Sequence, residues 1–109
     1  PSWVHPVVTA HPVSGRPVLF VNEGFTEDIV DMSYDESRAI LAMLFDHVAR
    51  NPGLQCRATW EPGTVVMWDN RAVQHFAVHD YAPHPRLGER VSVVGKGSPI
   101  AWGRDPSAA

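Results

Sequence analysis

The sequence has a single cysteine, no hydrophobic run of membrane-spanning length and no excess of positive charge. A lone thiol, Cys56, cannot form an internal disulfide, which favours a reducing compartment and predicts a cytoplasmic protein. No apolar run approaches the roughly 18 residues that a membrane-spanning helix needs. With 9 Lys and Arg against 12 Asp and Glu, the net charge of −3 excludes a generally basic nucleic-acid surface. We therefore expect neither a membrane nor a nucleic acid as partner.

The sequence also begins without methionine. Pro1-Ser2-Trp3 is followed by neither a basic segment nor an apolar core, so the start does not resemble a signal peptide. The missing Met leads us to expect a chain that is processed or cut from a longer one.

The length of 109 residues suits one domain, and a hydrophobic fraction of 44% is enough for a core. Residues 1–109 are therefore predicted to form a single domain.

One helix and several strands are predicted. Ser33 and Glu36 fit a capping box, and apolar residues then recur at helical spacing, which predicts a helix over residues 33–50. Residues 4–9 and 18–21 are rich in β-branched residues on either side of a Pro- and Gly-containing turn, which predicts a hairpin. The tail from Gly95 is predicted to fray. Four further segments are typical of strands: residues 55–60, 64–68, 73–78 and 90–94.

This pattern predicts a mostly β fold with one main helix, arranged as a β-sandwich or jelly roll. The predicted strands, divided between two sheets, leave exposed edges, which natural proteins avoid. Exposed edges fit a fragment, or a chain that pairs with another copy of itself. We therefore expect a homo-oligomer.

A histidine lies in the middle of the predicted strand 73–78, and two arginines follow it. His75 and His79 are four residues apart, as in helical zinc proteases, but four strand residues span about 13 Å, too far for a shared metal. Two interpretations of His75 stay open at this point: a ring bonded to a backbone carbonyl, which is the commoner case, or a metal ligand. Arg86 and Arg90 are either exposed charges or a pair that binds a carboxylate or sulfonate.

Two aromatic residues are also candidates. Trp68 is most simply a core residue, and Phe25 either covers the core or lines a pocket. The sequence contains neither a nucleophile elbow nor a phosphate-binding glycine loop.

Several ordered motifs together resemble the C-terminal part of the TauD/TfdA family of Fe(II)/2-oxoglutarate-dependent dioxygenases. The resemblance extends from about Val4 to Gly95. The motifs that carry it are His5-Pro6-Val7-Val8, His11-Pro12-Val13-Ser14-Gly15-Arg16, Leu19-Phe20-Val21-Asn22-Glu23-Gly24-Phe25-Thr26, Trp68-Asp69-Asn70-Arg71 and Gln74-His75.

The resemblance implies a partial double-stranded β-helix, the C-terminal half of the family's jelly roll. It also implies Fe(II) held by two histidines and one carboxylate, with open positions for 2-oxoglutarate and O₂. His75 would then be a metal ligand, Arg86 would bind 2-oxoglutarate, and Arg90 would bind the anionic end of the substrate or cosubstrate. Trp68 would lie near the iron, and Phe25 would line the pocket. We expect the His75 ring to face a cavity that both guanidinium groups share.

The sequence departs from the family pattern in two ways. Pro85 and Glu89 stand where the family usually has a basic residue and a histidine, and Glu89 places a negative charge beside the expected anion site. No His-x-Asp pair is present to supply the other two iron ligands, so we expect this chain alone to be inactive.

The expected function is a C-terminal part of a dioxygenase that hydroxylates a small anionic substrate while 2-oxoglutarate becomes succinate. A sulfonate such as taurine is favoured, which would place the enzyme in taurine catabolism. The alternative is a non-enzymatic β-sandwich that serves as a binding or assembly module.

Overall fold

The computed structural model describes residues 2–95 and 97–104. Its N-terminal part is an antiparallel hairpin of β1, Val8–Ala10, and β2, Pro17–Leu19, in which Thr9 pairs with Val18. The connecting turn is closed by the bond from the His11 N–H to the Arg16 carbonyl at 2.9 Å. Gly15 adopts a φ of 68°, a left-handed conformation that favours glycine. The predicted hairpin is confirmed, with shorter strands than expected.

The second edge of β1 is occupied by the C-terminal segment. Thr9 forms an antiparallel bridge with Ala101, the Ala10 N–H donates to the Ile100 carbonyl at 2.8 Å, and the Trp102 N–H donates to the Val8 carbonyl at 3.0 Å. The prediction of a fraying tail is wrong here, because the free edge of β1 offers backbone groups that these residues satisfy. Residues 96 and 105–109 of that predicted tail lie outside the described residues.

The predicted helix is confirmed as α1, Tyr34–Ala49. Ser33 and Glu36 form a reciprocal capping box. The hydrogen bonds that Ser33 donates to the Glu36 carboxylate hold the pKa of Glu36 below its ordinary value.

The helix also packs against the segment before it. Leu41 is completely buried, and the Ser37 hydroxyl accepts a bond from the Ile29 N–H at 2.7 Å. The 3-10 turn Pro52–Leu54 follows the helix. The helix therefore anchors the segment that precedes it.

The four further predicted strands are not observed in the described part of the chain. Residues 55–60, 64–68, 73–78 and 90–94 form no backbone ladder there, so the prediction of a mostly β chain is wrong for these residues. The described chain has one main helix and one two-stranded sheet. A β-strand needs a neighbouring strand to pair with its backbone N–H and C=O groups. An alternating sequence indicates a segment that could form a strand, but it does not show that such a neighbour is present. Apolar side chains of these segments consequently face solvent, with Met67 92% and Val93 98% exposed.

The chain leaves an unusually large surface uncovered. Its accessible surface is 10089 Å² for a mass of 12.0 kDa. A self-contained folded protein of this mass exposes about 6000 Å². The radius of gyration, 16.7 Å, likewise exceeds the value of about 13 Å for a compact domain of this length. The chain therefore buries only part of its apolar surface, and the four segments without pairing strands contribute to the exposed part.

Within residues 2–95 and 97–104, no helix is long and apolar enough to cross a bilayer.

The capping box gives a test of this local structure. Ser33→Ala removes the hydroxyl that accepts the Glu36 N–H, and we expect α1 to lose about 1 kcal/mol of stability. Urea unfolding followed by far-UV circular dichroism measures this change. Ser92→Ala, at an exposed position outside the helix, is the control and should leave the midpoint unchanged. Equal midpoints for Ser33→Ala and the unsubstituted chain would contradict the assigned cap.

Candidate functional site

The candidate site is built on residues 68–75, which connect an aromatic residue to the predicted metal ligand. The Trp68 and His75 rings lie 5.0 Å apart between centroids and are inclined by 47°. Trp68 is half-buried, and its Nε1–H donates to Asn70 Oδ1 at 2.7 Å. The structure therefore brings together two of the predicted site residues, although they are seven positions apart in the sequence.

Asp69 organises the turn between these two residues. Its carboxylate accepts from the Arg71 backbone N–H at 2.9 Å and from Arg71 Nε and Nη2 at 2.8 and 2.6 Å. Its carbonyl accepts from the N–H groups of Ala72 and Val73, both at 3.0 Å. The hydrogen bonds from Arg71, and then that from His11, hold the pKa of Asp69 far below its ordinary value. The same pair raises the pKa of Arg71.

His11 ties this turn to the hairpin. Its Nδ1 accepts the Ser14 backbone N–H at 3.2 Å, which leaves Nε2 as the protonated nitrogen that donates to Asp69 Oδ2 at 3.1 Å. The imidazole is only 14% exposed, so water competes little for this bond. Two motifs 58 residues apart in the sequence are thereby joined.

Gln74 ties the other end of the segment to the end of the hairpin. Its Nε2 donates to the Val21 carbonyl, and its Oε1 accepts from Asn22 Nδ2 at 3.0 Å. Val21 is buried, so the contact joins Gln74 to a residue of the core. Residues 69–74 are thus held at both ends by side-chain hydrogen bonds to the hairpin and its exit.

The remaining predicted site residues are not joined to His75. Phe25 is 88% exposed, Arg90 is exposed, and the Arg86 guanidinium carbon lies 5.8 Å from the centre of the Tyr81 ring. Among the described residues, no hydrogen bond, ion pair or ring contact connects these three side chains to His75. Their roles stay predictions.

The cavity that the His75 ring and both guanidinium groups were expected to share is not formed by the described residues. His75 is exposed, as are Arg86 and Arg90, so the prediction of a ring pointing inward is wrong for this part of the chain. The side chains lie on segments that lack the neighbouring strands of a closed fold. An open cleft lies elsewhere, and it is lined by Glu23, Arg38, Ala42, Phe45 and Asp46.

A complete metal site is likewise not present in residues 2–95 and 97–104. They contain no group of three His, Cys, Asp or Glu side chains that could hold a metal ion. An iron site of the family type needs two imidazoles and a carboxylate on one face. His75 fits one of these positions, and the described residues supply no second or third donor. These residues alone do not fit a complete Fe(II) site.

The sequence did not predict the hydrogen bonds that His11 forms with Asp69 and Asn22 with Gln74. Their contacts join positions 58 and 52 residues apart, and no local periodicity signals such distances. All four lie within the motifs that carried the family resemblance.

Comparison with known proteins decides the family. Residues 1–92 match the family described as "Taurine catabolism dioxygenase TauD, TfdA family". The chain belongs to the TauD/TfdA family. The expected resemblance is confirmed.

Several TauD/TfdA relatives are similar to this chain. An alpha-ketoglutarate-dependent dioxygenase, cnsM, of Penicillium expansum is 47% identical over 76% of this chain and 23% of its own length. An alpha-ketoglutarate-dependent sulfonate dioxygenase of Saccharomyces cerevisiae is 46% identical over 72% of this chain and 19% of its own. An alpha-ketoglutarate-dependent sulfate ester dioxygenase of Pseudomonas putida is 42% identical over 84% of this chain and 30% of its own. The chain thus spans less than a third of these TauD/TfdA proteins.

The charge of Asp69 gives a pH test of the turn. Because the folded-state pKa of Asp69 is depressed, its charge stabilises the fold above its ordinary pKa of 3.8, and this contribution is lost as the pH falls. Asp69→Asn removes it at every pH. Between about pH 5 and about pH 2.5, we expect the thermal midpoint of the unsubstituted chain to fall further than that of Asp69→Asn.

Circular dichroism melting measures both midpoints, and Asp28→Asn, at an exposed position outside the cluster, is the control. Parallel pH profiles for the unsubstituted chain and Asp69→Asn would show that the Asp69 charge does not stabilise the fold.

Proposed function

We propose that this chain is the C-terminal part of an Fe(II)/2-oxoglutarate-dependent dioxygenase that hydroxylates a small anionic substrate. Membership of the TauD/TfdA family is the observation that carries this proposal. Relatives named as sulfonate and sulfate ester dioxygenases favour a sulfonate, such as taurine, or a sulfate ester as substrate. The expected partners are that substrate, 2-oxoglutarate and O₂.

Each candidate residue has a role in this proposal. His75 would be one of three iron ligands, with the Trp68 ring beside it limiting where the imidazole can turn. Arg86 would bind the distal carboxylate of 2-oxoglutarate, and Arg90 the anionic end of substrate or cosubstrate, because a guanidinium donates two parallel hydrogen bonds to such groups. Phe25 would line the substrate pocket. Bound Fe(II) and 2-oxoglutarate together supply the oxidising chemistry that amino-acid side chains lack.

The other iron ligands and the missing neighbours of the unpaired segments would come from a preceding part of a longer polypeptide. The relatives are three to five times longer than the stretch they share with this chain. The exposed apolar residues of segments 64–68 and 90–94 support the same arrangement, because burying them needs partner strands. The complete fold would be a jelly roll, with residues 1–109 in its C-terminal half and inactive by themselves.

A second copy of the chain could instead cover this surface, in the homo-oligomer that the sequence led us to expect. The alternative function, a non-enzymatic binding or assembly module, would need no further metal ligands.

The exposed Cys56 thiol suits the reducing cytoplasm in which we place the protein.

Iron binding tests the role of His75. We expect the 109-residue chain to form no succinate and no Fe(II)/2-oxoglutarate charge-transfer band. A polypeptide extended upstream to include a His-x-Asp pair should show both, and His75→Ala should abolish them by removing a ligand. Equilibrium dialysis of Fe(II) measures the loss directly, with His47→Ala, on the exposed face of α1, as the control.

Turnover by the isolated chain would refute the need for upstream ligands. Stoichiometric iron in extended His75→Ala would remove His75 from the site. Failure of any extended polypeptide to bind iron would leave the binding or assembly module.

Cosubstrate affinity tests the role of Arg86. In the extended enzyme, Arg86→Ala should raise the KM for 2-oxoglutarate by a factor equivalent to about 1.5–3 kcal/mol, the loss of a charge-assisted hydrogen-bonded pair. Steady-state succinate formation provides the measurement. Arg104→Ala, at an exposed position, should leave this KM unchanged. An Arg86→Ala enzyme with the original KM for 2-oxoglutarate would exclude Arg86 from cosubstrate binding.

A further inference from the structure

We propose that Gln74 is a positioning residue that fixes the loop of residues 22–26, and with it Phe25, relative to His75. This inference rests on the proposed function, because it treats Phe25 as part of the substrate pocket and His75 as an iron ligand. It adds a specificity role for a side chain that would itself touch neither iron nor 2-oxoglutarate.

The Gln74 amide is used in both directions. Its NH₂ group donates to the carbonyl of buried Val21, and its carbonyl oxygen accepts from Asn22 Nδ2. Reversing the amide would place an oxygen against the Val21 carbonyl and an NH₂ against the Asn22 NH₂, so both bonds would be lost. The amide therefore has one favourable orientation, and it joins the loop to the residue directly before His75.

Asn22 in turn organises the whole loop. Its Oδ1 accepts from the Gly24 N–H at 2.8 Å, and its own N–H donates to Thr26 Oγ1 at 2.9 Å. Its carbonyl accepts from the N–H groups of Phe25 and Thr26 at 3.1 and 2.8 Å. The backbone on both sides of Phe25 is thus fixed to Asn22, and the side chain of Asn22 is fixed to Gln74.

Burial contributes little to holding this loop. Glu23, Gly24 and Phe25 are all exposed, and Thr26 is half-buried. A loop with little apolar burial depends mainly on its hydrogen bonds for order, and the Gln74–Asn22 bond joins it to residues 69–75.

Substrate and cosubstrate would depend on different segments of the chain. Gln74 and His75 are adjacent, about 3.8 Å apart at Cα, so a shift of the loop away from Gln74 would change the distance from Phe25 to His75. Arg86 and Arg90 lie on a different segment and make no hydrogen bond to this loop within the described residues. Loss of the amide bridge should therefore weaken substrate binding while 2-oxoglutarate binding is retained.

The first arm of the test measures order in the loop itself. In Gln74→Leu, which removes both bonds with similar side-chain size, the amide protons of Gly24 and Thr26 should exchange about tenfold faster, as expected for the loss of one or two hydrogen bonds. Gln55→Leu is the matched control, because the Gln55 amide donates to the carbonyls of Val48 and Ala49 at the end of α1. Asn22→Asp provides a second variant: it keeps an acceptor for the Gly24 N–H but cannot donate to Gln74.

The second arm measures function in the enzyme extended upstream. Gln74→Leu and Asn22→Asp should raise the KM for a sulfonate substrate about tenfold, while the KM for 2-oxoglutarate and the dialysis affinity for Fe(II) change less than about twofold. Gln74→Glu, which keeps the acceptor for Asn22 and loses the donor to Val21, should fall between Gln74→Leu and the unsubstituted enzyme.

Unchanged amide exchange in both Gln74→Leu and Asn22→Asp would overturn the proposal, as would equal changes in the two KM values. If Gln74→Leu fails to fold, Asn22→Asp decides by the same two criteria. An extended enzyme that binds neither Fe(II) nor 2-oxoglutarate in its unsubstituted form would overturn the proposed function, and this inference with it. Normal iron and cosubstrate binding with an unaltered sulfonate KM would overturn this inference alone.

Discussion

The arrangement of the candidate site depends on side-chain hydrogen bonds between residues 69–74 and the hairpin region, residues 8–22. The His11 imidazole holds Asp69 at one end, and the Gln74 amide holds Val21 and Asn22 at the other. The segment between them belongs to no sheet in the described residues. These polar contacts, rather than a backbone ladder, therefore join the stretch between Trp68 and His75 to residues 11–22.

The hydrogen bond between His11 and Asp69 joins two of the sequence motifs in the folded chain. His11 donates to the Asp69 carboxylate, and Arg71 favours the charged form of that carboxylate by bonding it at two nitrogen atoms. The charge of Asp69 is thus satisfied on both sides without deep burial, which avoids a large desolvation cost. Motifs that look unrelated in the sequence, one in a hairpin turn and one after a tryptophan, form a single polar cluster in the structure.

The elements governed by local interactions were predictable from the sequence. The capping box at Ser33 and the apolar spacing that follows it gave the helix, and the Pro- and Gly-containing turn gave the hairpin. The strands at 64–68 and 90–94 were predicted from alternation, which reports what a segment needs on its faces and not whether a pairing partner is present. The bridge between Thr9 and Ala101 was missed for the complementary reason, since a Gly/Pro-rich tail carries no local signal of the edge it will meet.

The candidate site residues were predictable from the sequence, but the hydrogen bonds that hold the segment carrying Trp68 and His75 were not. His75, Trp68, Arg86 and Arg90 came from a family motif, and the structure brings the first two into ring contact. The bonds that hold the residues between Trp68 and His75 join positions more than fifty residues apart, a relation that one sequence does not reveal. The uncovered apolar surface was equally hidden from sequence reasoning, because alternation does not report whether a segment has a pairing neighbour.

Nuclear Overhauser contacts across the two ends of residues 69–74 test the central claim most directly. The account predicts cross-peaks from the His11 ring to the Asp69 turn, and from the Gln74 side-chain amide protons to Val21 and Asn22. Absence of both sets, in a spectrum that retains the sequential contacts of α1, would show that the hairpin region does not hold this segment and would contradict the account.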